Sequence, residues 1–484
     1  MPPRQGGTRV GLDGTALDVD GVVALADAAA VPVVPPEALQ RARRSWHAAQ
    51  RLAAAGLLYG RGTGVGAHRS VTVDTGDQAG HGLRLLRSHA GGAGAPLPAR
   101  QVRAMLAVRT NQLLAGGSGI QPAVVDALTE ALRLGVHPAV SEYGGLGTGD
   151  LTALAQTGLT LIGERPWLGD PSHGLPSPVV LQPGDALALL SSNALVLGQA
   201  ALACHDLGVL LRATHAVAAL SLAAVSGSPE AYAAEVHARR PYPGAAHAAA
   251  ETRRLLGTPL RPGRRIQDPY GFRAFPQVHG CALDAAGALR RILDVEVNCP
   301  SENPLISPDG TAAHHHGGFF AAPLGLALDG LNLALLQTAQ LSAARLTALG
   351  RTDLTGLPAY LASGPAGSSG TMILEYTANS ALAELRSCAM PASAGHAVLS
   401  HGLEEAASFA SQAARQALRA VDAYATVLAC ELVVAVRALR MHPAPPPADA
   451  FTVAARALPP GTDDRPLTAD VTTATALLPA LARL

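Results

Sequence analysis

The residues best suited to chemistry lie between Glu142 and Leu154 (EYGGLGTGDLTAL). Gly147 and Gly149 remove the steric restriction on both sides of Thr148, which frees the backbone to fold back on itself. Asp150 suits the N-cap of the helix that follows, and the positive end of that helix then faces the loop. On residue types alone this is a tight turn or an anion pocket. Other candidates read as decoys. Gly62-x-Gly64-x-x-Ala67 has the spacing of a dinucleotide fingerprint, but a helix (Ala38 to Leu58) rather than a strand precedes it. His314, His315 and His316 are adjacent and project in different directions, with no carboxylate or cysteine at ligand spacing. A loop-borne run is therefore expected, and no metal. His205-Asp206 and His215 fall inside an apolar helix, where satisfied core or interface polar groups are the default. All 36 basic residues are arginine, which excludes a Schiff-base lysine, a P-loop lysine and pyridoxal-phosphate chemistry through an internal lysine.

The elements that must position these residues are mostly helical. Residues 8 to 35 carry short Val-rich pieces broken by Gly and Pro, the pattern of a small strand-and-turn entry, and helical texture begins at Pro36-Glu37. Three Ala/Leu segments exceed ordinary helix length: 185 to 226, 323 to 350 and 402 to 441. The second is apolar around most of its circumference yet carries Asp329, Asn332, Gln337 and Gln340, which places it among other helices rather than in lipid. With 15% charged residues and 3% aromatics, the outer faces of such a bundle must also be covered, so an oligomer is expected. A Pro-rich stretch from Pro443 leads into a last Ala/Leu helix. The expected organisation is 1–184, holding the reactive loops; 185–441, a central long-helix bundle; and 442–484, a helical C-terminal segment. The fold class is mainly α with a small mixed α/β N-terminal region.

Zero formal net charge over 484 residues removes the footprint of a nucleic-acid binder or a polybasic membrane-surface protein. No basic segment followed by an apolar run opens the chain, and no stretch reaches about 18 uninterrupted apolar residues. Cys204, Cys281, Cys299, Cys388 and Cys430 are scattered without a C-x-x-C pair, the pattern of reduced thiols. A soluble cytoplasmic protein with a small-molecule substrate is expected.

Several further segments, in order along the chain, carry a family resemblance. They are YGRGTGVG (59 to 66), RSHAGGAGAPLP (87 to 98), VRAMLAVRTNQLLAGGSGI (102 to 120), LGVHPAV (134 to 140), QDPYGFRAFPQVHG (267 to 280), EVNCPSENPL (296 to 305) and GGFFAAPLGLALD (317 to 329). Together with the glycine segment they make the chain resemble the aromatic amino acid ammonia-lyase and aminomutase family, most closely its histidine ammonia-lyase members. In that family an Ala-Ser-Gly tripeptide cyclises and dehydrates to a methylidene-imidazolone (MIO), an electrophile built from backbone. The need is chemical: an α-amino group leaves poorly and a β-hydrogen is weakly acidic, so the electrophile captures the amine while a tyrosinate removes the β-proton.

The resemblance implies a long-helix bundle of the histidine/phenylalanine ammonia-lyase type, assembled as a homotetramer whose active sites draw on more than one subunit. It makes Tyr59 the general base on a mobile lid loop and Arg273 the holder of the substrate carboxylate. Tyr270 and Gln267 line the site, Asn303 contacts substrate or prosthetic ring, Phe319 packs beside it, and Gln277 supports the arginine loop. Gly147, Thr148 and Gly149 stand at the tripeptide, and Asn193 falls in the segment that polarises the ring carbonyl. His89 and Glu404 stand where histidine lyases contact the side chain. Either suits a polar, nitrogenous side chain, since each is left unpaired against a phenyl ring, and either is equally an ordinary buried or interface polar residue.

The departures cluster around the prosthetic ring. The family's Gly-Ala-Ser-Gly-Asp stands here as Gly147-Thr148-Gly149-Asp150, one residue shorter, with Thr for Ser. Its Asn-Gly-Thr reads Ser191-Ser192-Asn193, its Gln-Glu-Asp-His reads Leu403-Glu404-Glu405-Ala406, and the Phe of its tyrosine loop is Val65. Three readings follow. The first is an ammonia-lyase or aminomutase with a Thr-derived ring. The second is a divergent enzyme that dispenses with the ring because its substrate carries a better leaving group. The third is a non-catalytic member that binds an amino acid or pairs with an active paralogue.

Overall fold

In the computed structural model, which describes residues 8–56, 58–257, 263–443 and 448–484, most of the chain is α-helix. The Val-rich entry is a compact β-α-β unit rather than strands and turns. Strands Thr8–Gly11 and Ala30–Val33 pair in parallel, Thr8 opposite Ala30, and Val19–Ala26 between them is helical. The reason is local: Asp18 caps that helix by accepting from the Gly21 N–H, and Val19, Val22, Val23 and Ala26 share one buried face. The next helix runs Pro36–Ala55, with proline at its first turn, and stops short of Leu58. The remaining strands are short and pair in twos, among them Ala93–Pro96 against Ser141–Tyr143 and Leu305–Ile306 against Ala313–His314.

The chain divides into two compact units. The first comprises residues 1–205, 290–328 and 391–415. Its core helix is Ala99–Ala115, whose residues 102 to 114 are all buried. The helix starting at Ala194 crosses it at Gly198, where a Cβ would stand 2.8 Å from the Met105 amide nitrogen, so no larger residue fits. The Ala/Leu stretch from 185 is not one helix: Asp185–Leu190 ends at Ser191, and a separate helix runs Ala194–Ala224. By length and composition this region passes as a membrane span, but 78% of its most apolar window is buried in protein. The expected helix from 402 starts only at Ala410, because a single 3-10 turn, Ser400–Gly402, and then non-helical chain precede it.

The second unit comprises residues 206–289, 329–390 and 416–484. Its buried centre is polar. Glu431 accepts from Arg345 Nε at 2.6 Å and Nη2 at 2.8 Å, and from Ser221 Oγ and Ser342 Oγ at 2.6 and 2.5 Å. His215 packs edge-on to His279 at 4.7 Å, and burial pushes its imidazole down to about 4. Its Nδ1 meets the Arg212 carbonyl while its Nε2 finds no partner among the described residues, so it is only half satisfied there. In the first unit His205 pairs with Asp20 at 3.0 Å. The Ala322–Leu349 helix has the length its composition suggests, whereas the Ala410–Met441 helix is shorter than the segment from 402. Residues 444–447 of the Pro-rich stretch lie outside the described residues, and the C-terminal segment beyond them forms two helices, Asp449–Ala457 and Thr468–Leu481.

Candidate active site

Tyr59 follows the Pro36–Ala55 helix at the start of a hairpin-like loop, in which Gly64 donates to Val71 and Val73 to Gly62. Arg61, buried, ties the base of this loop to the carbonyls of Pro183 and Gly119 at 2.7 and 2.5 Å. The Tyr59 hydroxyl accepts from the Gly66 N–H at 2.8 Å. Burial pushes the phenol above its ordinary value and the Glu404 carboxylate acts in the same direction, while the Gly66 N–H and Arg69 pull it down. Glu404 itself accepts from Ser400 Oγ at 2.9 Å.

The glycine segment is held from three sides. The Gly147 carbonyl accepts from Ser408 Oγ at 2.7 Å and from the Ala321 N–H at 3.1 Å. Gly149 donates its N–H to Asn193 Oδ1 at 2.9 Å, and Asn193 Nδ2 donates to the Phe319 carbonyl. Both ends of the Asn193 amide are thus spent, which fixes its orientation. Gly147 has a φ of +79°, and a Cβ there would stand 2.1 Å from Ser408 Oγ and 2.8 Å from the Ala410 nitrogen, so only glycine fits. Thr148, half-buried, makes no hydrogen bond among the described residues through its hydroxyl.

Asp150 does not cap its own helix. Its Oδ2 accepts from the N–H groups of Leu195 and Val196 at 2.8 and 3.0 Å, so it caps the Ala194–Ala224 helix instead. Burial raises its carboxyl from 3.8 to about 7, against the lowering effect of those two donors. The folded protein therefore keeps a proton that the unfolded chain releases. This contribution to stability is complete below about pH 4 and is lost as pH rises towards about 7. Asp150→Asn, which keeps an acceptor oxygen, is expected to flatten that part of a plot of melting temperature against pH.

One segment joins the tyrosine to the tripeptide. The His315 ring stands edge-on to Tyr59 with centroids 6.4 Å apart, and the His316 N–H donates to Asn303 Oδ1 at 3.0 Å. Phe319 meets Asn193, and Ala321 meets Gly147. Behind it a buried ion pair, Arg109 Nη1 to Glu302 Oε1 at 2.8 Å, braces the residue before Asn303 against the core helix. Gln112 on the same helix accepts from Ser192 Oγ at 2.6 Å, next to Asn193. The structure thus assembles Tyr59, Gly147, Thr148, Gly149, Asn193, Asn303, Phe319 and Glu404 within the first unit. His89 belongs to that unit too, but its Nδ1 bonds to the Leu85 carbonyl and Ser88 Oγ of its own helix, not to Tyr59, Thr148 or Glu404. A cavity of about 890 Å³ bounded by Arg41, Arg44, His47, Arg51 and Asp309 shares no lining residue with the site.

Gln267, Tyr270 and Arg273 belong to the second unit. There the Arg273 guanidinium lies 4.4 Å over the Tyr270 ring, and its buried Nε has no hydrogen-bond partner among the described residues. The turn that carries it is anchored through main-chain carbonyls: Arg345 Nη1 holds Gly271 at 3.0 Å and the Tyr232 hydroxyl holds Phe272 at 2.6 Å. Gln277, expected to support this loop, is exposed, and its side chain bonds to nothing among the described residues.

Ser408 is not among the residues the sequence singles out, and His315 reads there only as part of a loop-borne run. No local signal marks either one. Each earns its place through a residue more than two hundred positions away.

A family model described as aromatic amino acid lyase matches residues 17–458. The chain is 36% identical over 495 residues to the histidine ammonia-lyase of Anaeromyxobacter dehalogenans (strain 2CP-C), covering 95% of this chain and 96% of that protein. Among solved structures, the tyrosine aminomutase from Streptomyces globisporus matches with a TM-score of 0.91 at 27% identity, over 98% of this chain and 97% of that one. The ergothioneine-degrading enzyme ergothionase from Treponema denticola matches with a TM-score of 0.89 at 25% identity, over 98% and 99%. The long-helix bundle with its small mixed N-terminal region is the fold of these proteins. An enzyme of the ammonia-lyase and aminomutase class, acting on an aromatic or polar amino acid, accounts for the match along nearly the whole chain. The chain belongs to the aromatic amino acid lyase family.

Proposed function

We propose that the protein removes ammonia from, or shifts the amino group of, histidine or a closely related polar amino acid. The observation that carries this reading is the segment from His315 to Ala321, which touches Tyr59 at one end and the Gly147 carbonyl at the other. A base and a reactive tripeptide so linked can converge on one substrate. Tyr59 takes the β-proton. Arg273, whose guanidinium has no anionic partner among the described residues, holds the substrate carboxylate. Glu404 and His89 recognise the side chain, the first from beside the phenol.

The tripeptide fits a backbone-derived imidazolone: Gly149 offers an N–H, Gly147 a carbonyl with two donors on it, and Thr148 a hydroxyl to lose. When formed, that group supplies the electrophile that makes the amine a leaving group, held by Asn193 and flanked by Phe319. The working protein is a cytoplasmic homotetramer whose sites combine residues of more than one subunit, and no other cofactor is required. Exposed Ile266, Tyr270, Leu326 and Tyr376 support burial against further subunits.

The test is a comparison of ammonia release from histidine, phenylalanine and tyrosine by wild type and Glu404→Ala. Preference for histidine that collapses in the variant supports the reading. Equal turnover of phenylalanine by both forms refutes the substrate assignment. Arg273→Ala is expected to raise KM by about 10- to 100-fold, the worth of a charge-assisted contact, with a smaller change in kcat.

A second reading is favoured by the Thr at position 148 and by the likeness to ergothionase. In it the ring is absent, and Tyr59 and Arg273 serve an elimination whose leaving group needs no capture. Turnover of an amino acid bearing a quaternary ammonium group, with none of its primary amine counterpart, is the result that would favour it.

A further inference from the structure

We propose that Ser408 is the positioning residue that activates the Gly147 carbonyl for closure of the Gly147-Thr148-Gly149 backbone into its imidazolone. The proposal rests on the ring-forming reading of the site. Cyclisation needs the Gly149 nitrogen to add to the Gly147 carbonyl carbon. The N–C bond forms, the C=O π bond breaks, and the proton leaving nitrogen ends on the former carbonyl oxygen. That hydroxyl then departs as water with the Thr148 N–H proton, and a C=N double bond forms between the Gly147 carbon and the Thr148 nitrogen. Loss of the Thr148 Cα proton together with its side-chain hydroxyl gives a second water and the exocyclic double bond. No oxidant or reductant is consumed, and the chain becomes lighter by two waters.

The demanding moment is the growth of negative charge on the Gly147 oxygen, and two donors already point at that atom: Ser408 Oγ at 2.7 Å and the Ala321 N–H at 3.1 Å. Donors fixed in advance on an oxygen that is about to gain charge lower the barrier without reorganisation. Ser408 is 4% exposed, so its bond is not diluted by water. Its proton is committed, because the Ala410 N–H donates to the same oxygen at 3.3 Å and leaves Ser408 to act as donor towards Gly147. At the other end of the forming bond, Asn193 Oδ1 orients the Gly149 N–H at 2.9 Å.

Glycine at position 147 belongs to this arrangement. The Ser408 oxygen lies 2.1 Å from where a Cβ of residue 147 would be, so it fills the space that any side chain at that position would need. The glycine admits the hydroxyl, and the hydroxyl works on the glycine's own carbonyl.

The experiment follows the mass of the full-length chain, and of its peptide spanning Gly147 to Gly149, at intervals after cell-free synthesis. Wild type, Ser408→Ala, Ser408→Cys and Ser411→Ala are compared. Ser411 is a control from the same stretch of chain, since its buried hydroxyl has no hydrogen-bond partner among the described residues. Wild type and Ser411→Ala are expected to lose two waters at the same rate. Ser408→Ala is expected to be slower by on the order of 10²-fold, the usual cost of one such donor. Ser408→Cys, with a weak donor on a similar shape, is expected to fall between them. If Ser408→Ala does not give the far-ultraviolet spectrum of wild type, the ordering is read from Ser408→Cys. Maturation of folded Ser408 variants at the wild-type rate overturns the role of Ser408 and leaves the ring reading standing. A wild-type chain that keeps its encoded mass overturns both.

Discussion

Tyr59→Phe is expected to lower kcat by about 10²- to 10⁴-fold, the range for loss of a positioned proton acceptor, while KM stays near the wild-type value. The substitution removes one oxygen and leaves the ring against His315. The Gly66 N–H loses its acceptor, a cost of about 1 kcal/mol at a half-buried position, so a small drop in melting temperature accompanies a large drop in rate. The pH profile gives a second readout. Burial and the Glu404 carboxylate both push the phenol up, so the reactive phenolate accumulates on the alkaline side and kcat/KM should rise with pH there. Glu404→Gln removes one of the two upward pushes. Its alkaline limb should therefore move to lower pH, even though substrate affinity also changes. A profile unmoved by that variant, or a Tyr59→Phe enzyme with wild-type kcat, removes Tyr59 from the role of base.

Glu431→Ala is expected to destabilise the protein by about 3–5 kcal/mol, the cost of leaving a buried charge without its partner. Arg345 and Glu431 are both fully buried, and four hydrogen bonds converge on the carboxylate. The loss should be read as a fall in denaturant midpoint at constant slope. The exposed pair Arg351–Asp353 is a contrast: breaking it should leave the midpoint where it is, because solvent already screens both charges. Arg345 also holds the Gly271 carbonyl, two residues before Arg273. At temperatures where the variant remains folded, its KM should accordingly rise more than its kcat falls. A Glu431→Ala protein with wild-type stability would show that the buried pair contributes nothing net.

Helices were readable wherever punctuation was local. Proline stands in the first turn of the helix that starts at Pro36. The break between Leu190 and Ala194 carries no such mark, since Ser191-Ser192-Asn193 is compatible with continuing a helix. It is made by distant partners: Asp150 takes the N–H groups of Leu195 and Val196, and Asn193 spends both ends of its amide on Gly149 and Phe319. The Asp150 cap was misassigned for the same reason. Position directly before a helix predicts a cap on that helix, but the carboxylate turned to a second helix whose start lies closer in space.

Residue type and order along the chain were enough for the mainly helical class and the family, and they marked Tyr59, Thr148, Asn193, Asn303, Phe319 and Glu404 as expected site residues. Only the tertiary structure decided which of them meet. It set His315 against Tyr59 and Ser408 against Gly147 across 261 positions, and it left His89 bonded to its own helix. It also showed that Gly147 is required by the hydroxyl packed against it. Contacts of that separation come from how buried surfaces and helix ends find their partners when the whole unit packs, and no local pattern of residues encodes them.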